Sequence, residues 1–541
     1  MQADTESRAA AARPTIVLAT LSAGQFLMTL DSSVMNVSMA QVASDLGTTI
    51  TGIQTAITLY TLVMATLMIT GGKIGSIIGR RRAFAVGLVI YGAGSLTTAL
   101  APNLGVLLIG WSLLEGIGAA LIMPAIVALV AANFPPERRS SAYGLIAASG
   151  AIAVAAGPLI GGAVTTFASW RYVFAGEVVL VLVILPVLRR IEDATPTRVR
   201  IDIVGSVLSV LGLGLVVYGV LRSGEWGWLH SRAGGPEVLG LSPVIWLVLG
   251  GLLVVYALTR WEAYLTRRGR DPLLDIRLLG NRQLSGGLTM FFAQFMIQAG
   301  VFFTVPLFLS VVLELSALQT GVRLLPLSVA LLAAAVGIPK LWPHAMPRRV
   351  VRLGLASMTA GIGILAAGMD PGANAGVVAI PMLLMGLGLG ALSSQLGAVT
   401  VSAVPDSRSA EVGGLQNTAT NLGASLGTAL IGSVLIATLS ASIVAGIQDD
   451  PRIPPSVQEQ ATVELASGVP FLSDTQLDTA LADAKVDPPV ADAVVAANSD
   501  ARLEALQAAL ALAALLAVGA LFFSGRIPRT AVGERDEGSD G

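Results

Sequence analysis

The sequence predicts an all-α membrane protein of about 14 transmembrane helices with both termini in the cytoplasm. Composition, apolar run length and the placement of cations carry that prediction. Of 541 residues, 54% are hydrophobic and 12% charged, with a mean hydropathy of +0.77, well outside the range of soluble domains. A spanning helix needs roughly 20 mostly apolar residues. Runs of about that length fall at 15–39, 50–72, 84–101, 104–132, 141–166, 172–188, 203–221, 241–259, 284–311, 321–338, 351–368, 376–402, 412–440 and 503–524.

The first run is too long for a signal core and ends without a small-residue cleavage site, so it reads as a spanning helix. With the N-terminus inside, the cytoplasmic loops collect Lys73 with Arg80–Arg82, Arg138 and Arg139, Arg189 and Arg190, then Arg267, Arg268, Arg270, Arg277 and Arg282. About 26 of the 33 lysines and arginines then lie inside, which is the bias that orients membrane proteins. The long outside segment 445–501 is acidic. Its Ser473-Asp474 start and Leu477/Leu481 spacing predict a short helix, and the segment offers a surface for an extracytoplasmic protein partner. The last residues, 533–541, are polar and predict a disordered tail.

Several function classes are excluded by what the chain lacks. There is no cysteine, and the two histidines, His230 and His344, fall in predicted loops, which leaves little material for a metal centre and none for thiol chemistry. No phosphate-binding G-x-x-x-x-G-K-[ST] loop occurs. No cofactor site is expected, and no basic domain or stacking platform for nucleic acid. The arginines from 80 to 82 are explained by topology and by anionic headgroups of the surrounding membrane lipids.

An ionisable group near the bilayer centre costs at least about 2.5–3.5 kcal/mol, so Asp31 and Glu115, at comparable predicted depth, call for a function. Both are read as proton-carrying groups; the alternative is a neutral acid bonded to a nearby carbonyl. Asp31 is about 100° from the polar stripe Gln25, Thr29, Ser32, Asn36 on the first helix, so it faces a helix neighbour while Gln25 and Asn36 face the cavity. Glu177 and Glu411 sit near membrane edges, where snorkelling accounts for them. In the ninth run, Gln294 and Gln298 are one turn apart beside Phe291, Phe295 and Phe302, a wall of amide and aromatic groups suited to amphipathic ligands; ordinary helix packing is the alternative for the phenylalanines. Gly157-Pro158 removes a donor and a side chain from the fifth helix and permits a kink.

Three stretches resemble the 14-spanning drug:proton antiporter family of the major facilitator superfamily. Leu30-Asp31-Ser32-Ser33-Val34-Met35-Asn36-Val37 is similar to its first-helix signature, Gly157-Pro158-Leu159-Ile160-Gly161-Gly162 to its antiporter motif, and Gly72 through Gly79, Arg80, Arg81 and Arg82 to the superfamily's loop motif. The resemblance implies a major facilitator fold: an N-terminal six-helix bundle at 15–190 after a cytoplasmic stretch 1–14, two inserted helices within 191–260, a basic linker at 261–283, a C-terminal bundle at 284–524 interrupted by 445–501, and a tail at 525–541. It implies a substrate site at the bundle interface, an antiporter motif at Gly157, Pro158, Gly161 and Gly162, and a gating loop at Gly72, Gly79, Arg80 and Arg81. Two departures stand out: Ser76 replaces the family's Asp, and Ser112 and Glu115 replace its Arg and Gln. The expected function is export of hydrophobic or cationic small molecules in exchange for protons, from a bacterial inner membrane. Export of an endogenous envelope lipid or metabolite, and a non-transporting scaffold or sensor, are the alternatives.

Overall fold

The computed structural model describes residues 2–134, 136–193, 202–231, 235–270, 272–342, 345–370, 372–404, 409–455, 458, 471–484 and 486–528. The expected tail at 533–541, and most of 456–470, lie outside the described residues. Among the described residues there is no strand, only one isolated bridge, Val238 to Leu241. An apolar medium leaves the backbone no water to bond, so each helix must satisfy its own amides.

The long helices in chain order are α1 (Gln2–Asp45), α2 (Ile50–Ile78), α3 (Arg80–Ala99), α4, α5 (Pro136–Phe167), α6 (Arg171–Val187), α7 (Ile203–Trp226), α8 (Pro243–Arg267), α9 (Arg282–Leu307), α10 (Ala317–Leu341), α11 (Pro347–Gly368), α12 (Ala379–Val401) and α13 (Ser409–Asp449). Helix α4 has three parts, Leu104–Leu107, a π-helical stretch Leu108–Glu115, and Gly116–Asn133. A short α14 (Asp474–Asp483) and the long α15 (Pro488–Phe523) complete the chain. Eleven of these are long and apolar enough to cross a membrane, twelve if the two segments of α5, bent by 41°, count as one span.

Starts follow local chemistry. Thr49, Asn103, Ser242 and Asn281 cap α2, α4, α8 and α9 through side-chain oxygens, satisfying amides that have no partner in the first turn. Ser316 and Ser473 form capping boxes with Gln319 and Gln476, so the helix expected after Ser473 is present. Helix α15 begins fifteen residues before the apolar run at 503, because its first four turns are amphipathic and rest on protein.

Successive helices alternate direction between two faces. On the basic face, Asn133 donates to the Glu192 carbonyl (3.0 Å), Arg81 to the Ile191 carbonyl (3.1 Å) and Arg348 to the Ile527 carbonyl (2.8 Å). On the acidic face, Trp170 donates to Asp45 (2.9 Å) and Arg171 to the Ala101 carbonyl (2.8 Å). There the segment 471–484 docks on its own chain: the fully buried Arg502 donates to the carbonyl of Leu472 (2.7 Å) and pairs with Asp474, and Glu314 accepts from the Thr475 amide (3.0 Å) and hydroxyl (2.7 Å).

Of the inserted pair, α7 packs against both halves and α8 lies on α7. Thr70 on α2 bonds Ser206 on α7 (3.0 Å), and Ser433 on α13 donates to the Val220 carbonyl farther along α7 (2.9 Å).

Candidate functional site

The seam between the two halves is tight toward the acidic face. Gln54 donates to the carbonyls of Thr428 (3.1 Å) and Ala429 (3.2 Å), and Ser425 donates to the Thr58 carbonyl (2.9 Å). On the other flank, Ser328 donates to the Val154 carbonyl (3.2 Å) and the Leu318 amide to Thr166 (3.0 Å). The glycines of the fifth helix work here as spaces. A Cβ on Gly157 would strike Ser33, one on Gly161 would come within 2.8 Å of Val34, and one on Gly162 would strike the Ala317 carbonyl, while Gly321 meets the Pro158 carbonyl in the same way. Gly157, Pro158, Gly161 and Gly162 therefore let α5 lie directly on α1 and α10.

Toward the basic face the halves part around a cavity of about 530 Å³, lined by α2 (Met68, Gly72), α4 (Pro124), α13 (Asn417) and the linker around Pro272. Gly79, with φ of 100°, makes the turn between α2 and α3. Arg80 reaches back from it to the Gly72 carbonyl (2.6 Å) and to the Ser76 hydroxyl, so a neutral hydroxyl stands where a carboxylate would pair. Arg81 holds Ile191 and Asp193 instead. Of the expected gating loop, Gly72 and Arg80 are thus joined to each other and Arg81 to the segment that follows α6, with Gly79 making the turn.

Within the N-terminal half, Asp31 and Glu115 come together, and Glu177 joins them. All three are buried, and one oxygen from each lies within 4.8 Å of the others. The Trp111 indole donates to both Asp31 oxygens (2.8 and 2.9 Å) and stacks on Tyr60 with ring centres 5.0 Å apart. Thr98 donates to Glu115 (3.3 Å), and Ser95 (3.0 Å) and Tyr91 (3.5 Å) donate to Glu177. Ser112, at the family's arginine position, donates to the Ala56 carbonyl (2.8 Å). Asp31 does face its helix neighbours, as its angle to the polar stripe implied.

Trp111, Ser112 and Glu115 reach this place from the π-helical stretch of α4, a kind of wide turn that is frequent at functional positions. Gly94 lets α3 approach it: a Cβ there would meet Glu115 Cγ at 2.6 Å and the Gly110 carbonyl at 2.7 Å. No lysine, arginine or histidine among the described residues faces the three carboxyls. The same three oxygens are close enough to share one cation or a bridging water.

The edge placement of Glu177 is corrected here. Helix α6 does begin near the acidic face, but Trp170 just before it is fully buried and bonded to Asp45, so nearness to the membrane edge brings no exposure. Its partners Tyr91 and Ser95 lie one turn apart on α3, a pairing no local pattern reveals. Nothing is described of the Glu411 side chain. Gln294 is buried and donates to Ser393 (3.0 Å), leaving its own oxygen without a partner. Gln298 and Phe295 are half-buried on the same helix. Gln25 donates to Thr29 (3.2 Å) and Asn36 to the Ser32 carbonyl (2.8 Å), so both bond along their own helix.

The family model for the Major Facilitator Superfamily matches residues 21–428. The chain belongs to the major facilitator superfamily. Among its relatives, the puromycin resistance protein of Streptomyces alboniger is 32% identical over 426 residues, 77% of this chain and 81% of that one. The probable actinorhodin transporter of Streptomyces coelicolor is 27% identical, covering 88% and 80%. The tetracenomycin C resistance and export protein of Streptomyces glaucescens is 29% identical, covering 84% and 82%. The fold is shared with a bacterial homologue of the lysosomal transporter Spinster in an inward-facing, unoccupied conformation (TM-score 0.62, 14% identity, 95% of this chain and 98% of that one). This major facilitator protein is a multi-pass bacterial membrane transporter, not an enzyme.

Proposed function

We propose that the protein exports hydrophobic, cationic small molecules from the cell across the inner membrane in exchange for protons. The observation that carries this reading is the cluster of Asp31 and Glu115 with Glu177 beside them, all buried and, among the described residues, faced by no lysine, arginine or histidine. Three like charges that close in a low-dielectric interior repel strongly, so the cluster is a place where protons are held and released. The resistance and export functions in the relatives' names support a small-molecule cargo.

Substrate would enter the cavity on the basic face, which the excess of cations marks as cytoplasmic, and be met deeper along the seam by Gln294, Gln298 and Phe295, with Gln25 and Asn36 opposite. Rocking of the halves would break the Gln54 and Ser328 contacts and open the acidic face. Gly157, Pro158, Gly161 and Gly162 would serve as the close-packed joint, and the Gly72–Arg81 turn as the inner gate.

The test is proton movement in inverted vesicles energised by respiration, with the wild type or Asp31→Asn, on adding ethidium or tetraphenylphosphonium. Dissipation of the gradient that the variant loses is the expected result. No dissipation by either compound, with efflux also absent, would overturn drug antiport. It would move the search to endogenous metabolites, the second reading, which the names of the actinorhodin and tetracenomycin relatives favour.

A further inference from the structure

The carboxyl cluster and the cavity occupy different places. The cluster is enclosed by α1, α3, α4 and α6, all in the N-terminal half, whereas the cavity lies on the seam, and none of the three acids lines it. A substrate in that cavity does not touch them.

Glu177 differs from its two neighbours in where its helix begins. It stands six residues into α6, about 9 Å along the helix axis from the acidic-face end. Glu115 follows eleven residues of α4 from the same face, and Asp31 lies fourteen residues from the end of α1 at Asp45. Its bonding is also lopsided. Ser95 and Tyr91 both donate to one carboxyl oxygen, leaving the other buried and without a partner; Glu115 likewise has one unpartnered oxygen. A glutamine would fill a purely structural role here, since its amide group could both accept from Ser95 and donate toward the neighbouring acids. An acid with one unpartnered buried oxygen, and an oxygen within 4.8 Å of two other acids, is instead suited to passing a proton.

We propose that Glu177 is a proton-carrying member of the coupling site, handing protons between the acidic face and Asp31 along a route inside the N-terminal bundle that substrate never enters. The step is a transfer of one proton at a time from a protonated Glu177 carboxyl to an ionised Asp31 or Glu115, directly or through one water, and no other bond changes. The inference rests on the proton-antiport reading. It adds that proton and substrate are coupled through the packing of α4, which touches both places, and not by competing for the same carboxylate.

The experiment uses full-length protein in proteoliposomes with ethidium as probe and a pH dye inside, comparing wild type, Glu177→Gln, Glu177→Asp and Asp31→Asn. Glu177→Gln is expected to bind ethidium as the wild type does but to lose proton-driven transport at least about tenfold, with Glu177→Asp recovering part of the rate at a shifted pH optimum. Coupled transport by Glu177→Gln at the wild-type rate and pH profile, while Asp31→Asn is inactive, would overturn this inference and leave antiport standing. If wild type moves no protons with ethidium, antiport itself fails. The infrared band of protonated carboxyls in the purified protein then decides: a component that titrates in wild type, vanishes in Glu177→Gln and shifts in Asp31→Asn supports proton sharing, and a band indifferent to all of these overturns it. Should Glu177→Gln not fold, the pH profile and carboxyl band of Glu177→Asp separate the same two outcomes: a shift in both supports proton sharing, and no change in either overturns it.

Discussion

The two halves of the molecule share a helix plan and differ in what they bury. The N-terminal half encloses Asp31, Glu115 and Glu177 at mid-depth. At mid-depth the C-terminal half, among its described residues, holds a neutral pair, Gln294 and Ser393, and its buried cation, Arg502, sits at the acidic-face rim and is bonded on several sides. Buried charge needs partners or protons. The C-terminal half pairs its buried cation, whereas the N-terminal half gathers carboxyls with no countercharge among the described residues; on the proposed antiport reading, energy coupling is therefore concentrated in one half while the seam belongs to both.

The largest expected effect comes from removing that asymmetry. Asp31→Asn should lower coupled ethidium transport by at least about tenfold, and a wild-type rate in vesicles would dissolve the contrast between the halves. Gly321→Val follows, because its side chain would strike the Pro158 carbonyl and wedge the acidic-face seam open. The chain has no cysteine, so labelling from the acidic side of a single Ser328→Cys, at a position buried on the seam, reads this directly: labelling should rise with Gly321→Val and transport should fall. Arg502→Met would remove the partner of Asp474 and a donor from the carbonyls of Leu472 and Val311 and cost about 1–3 kcal/mol, seen as a lower melting temperature in detergent with proton coupling retained in the folded fraction. Gln294→Leu should leave proton movement within about twofold of wild type while changing which compounds are carried; loss of proton movement would place coupling in both halves.

The smallest effect is the acid response of the docked segment. Hydrogen bonding from the Thr475 hydroxyl holds the Glu314 carboxyl below its ordinary value. A depressed acid contributes stability that is present above its ordinary value and is lost as pH falls through the lowered one. Glu314→Gln should therefore lower the melting temperature slightly at neutral pH and flatten its fall at low pH, where the two proteins converge.

Much of the fold was legible because lipid imposes it. Long apolar runs and the alternation of cations mark the helices and their direction, and Ser473 announced α14 through its cap. Helix ends beyond the bilayer were not legible, since residues 488–502 are amphipathic and read as loop by any apolar criterion. Asp31 and Glu115 stood out because charge within an apolar run is costly. Glu177 did not, because its setting depends on how Trp170 and Asp45 close the acidic face, a long-range contact. The close approach of α5 to α1 and α10 was partly visible in Gly157-Pro158, whereas the widened turn of α4 left no mark in composition.

That widened turn makes the site a matter of helical register. A π turn holds one residue more than the α turn it interrupts, so winding Leu108–Glu115 back into an ordinary helix with no residue removed would swing one end of α4 by about 100° relative to the other. Trp111 would no longer point at Asp31 while Glu115 points at Thr98, although every side chain of the cluster would still be encoded.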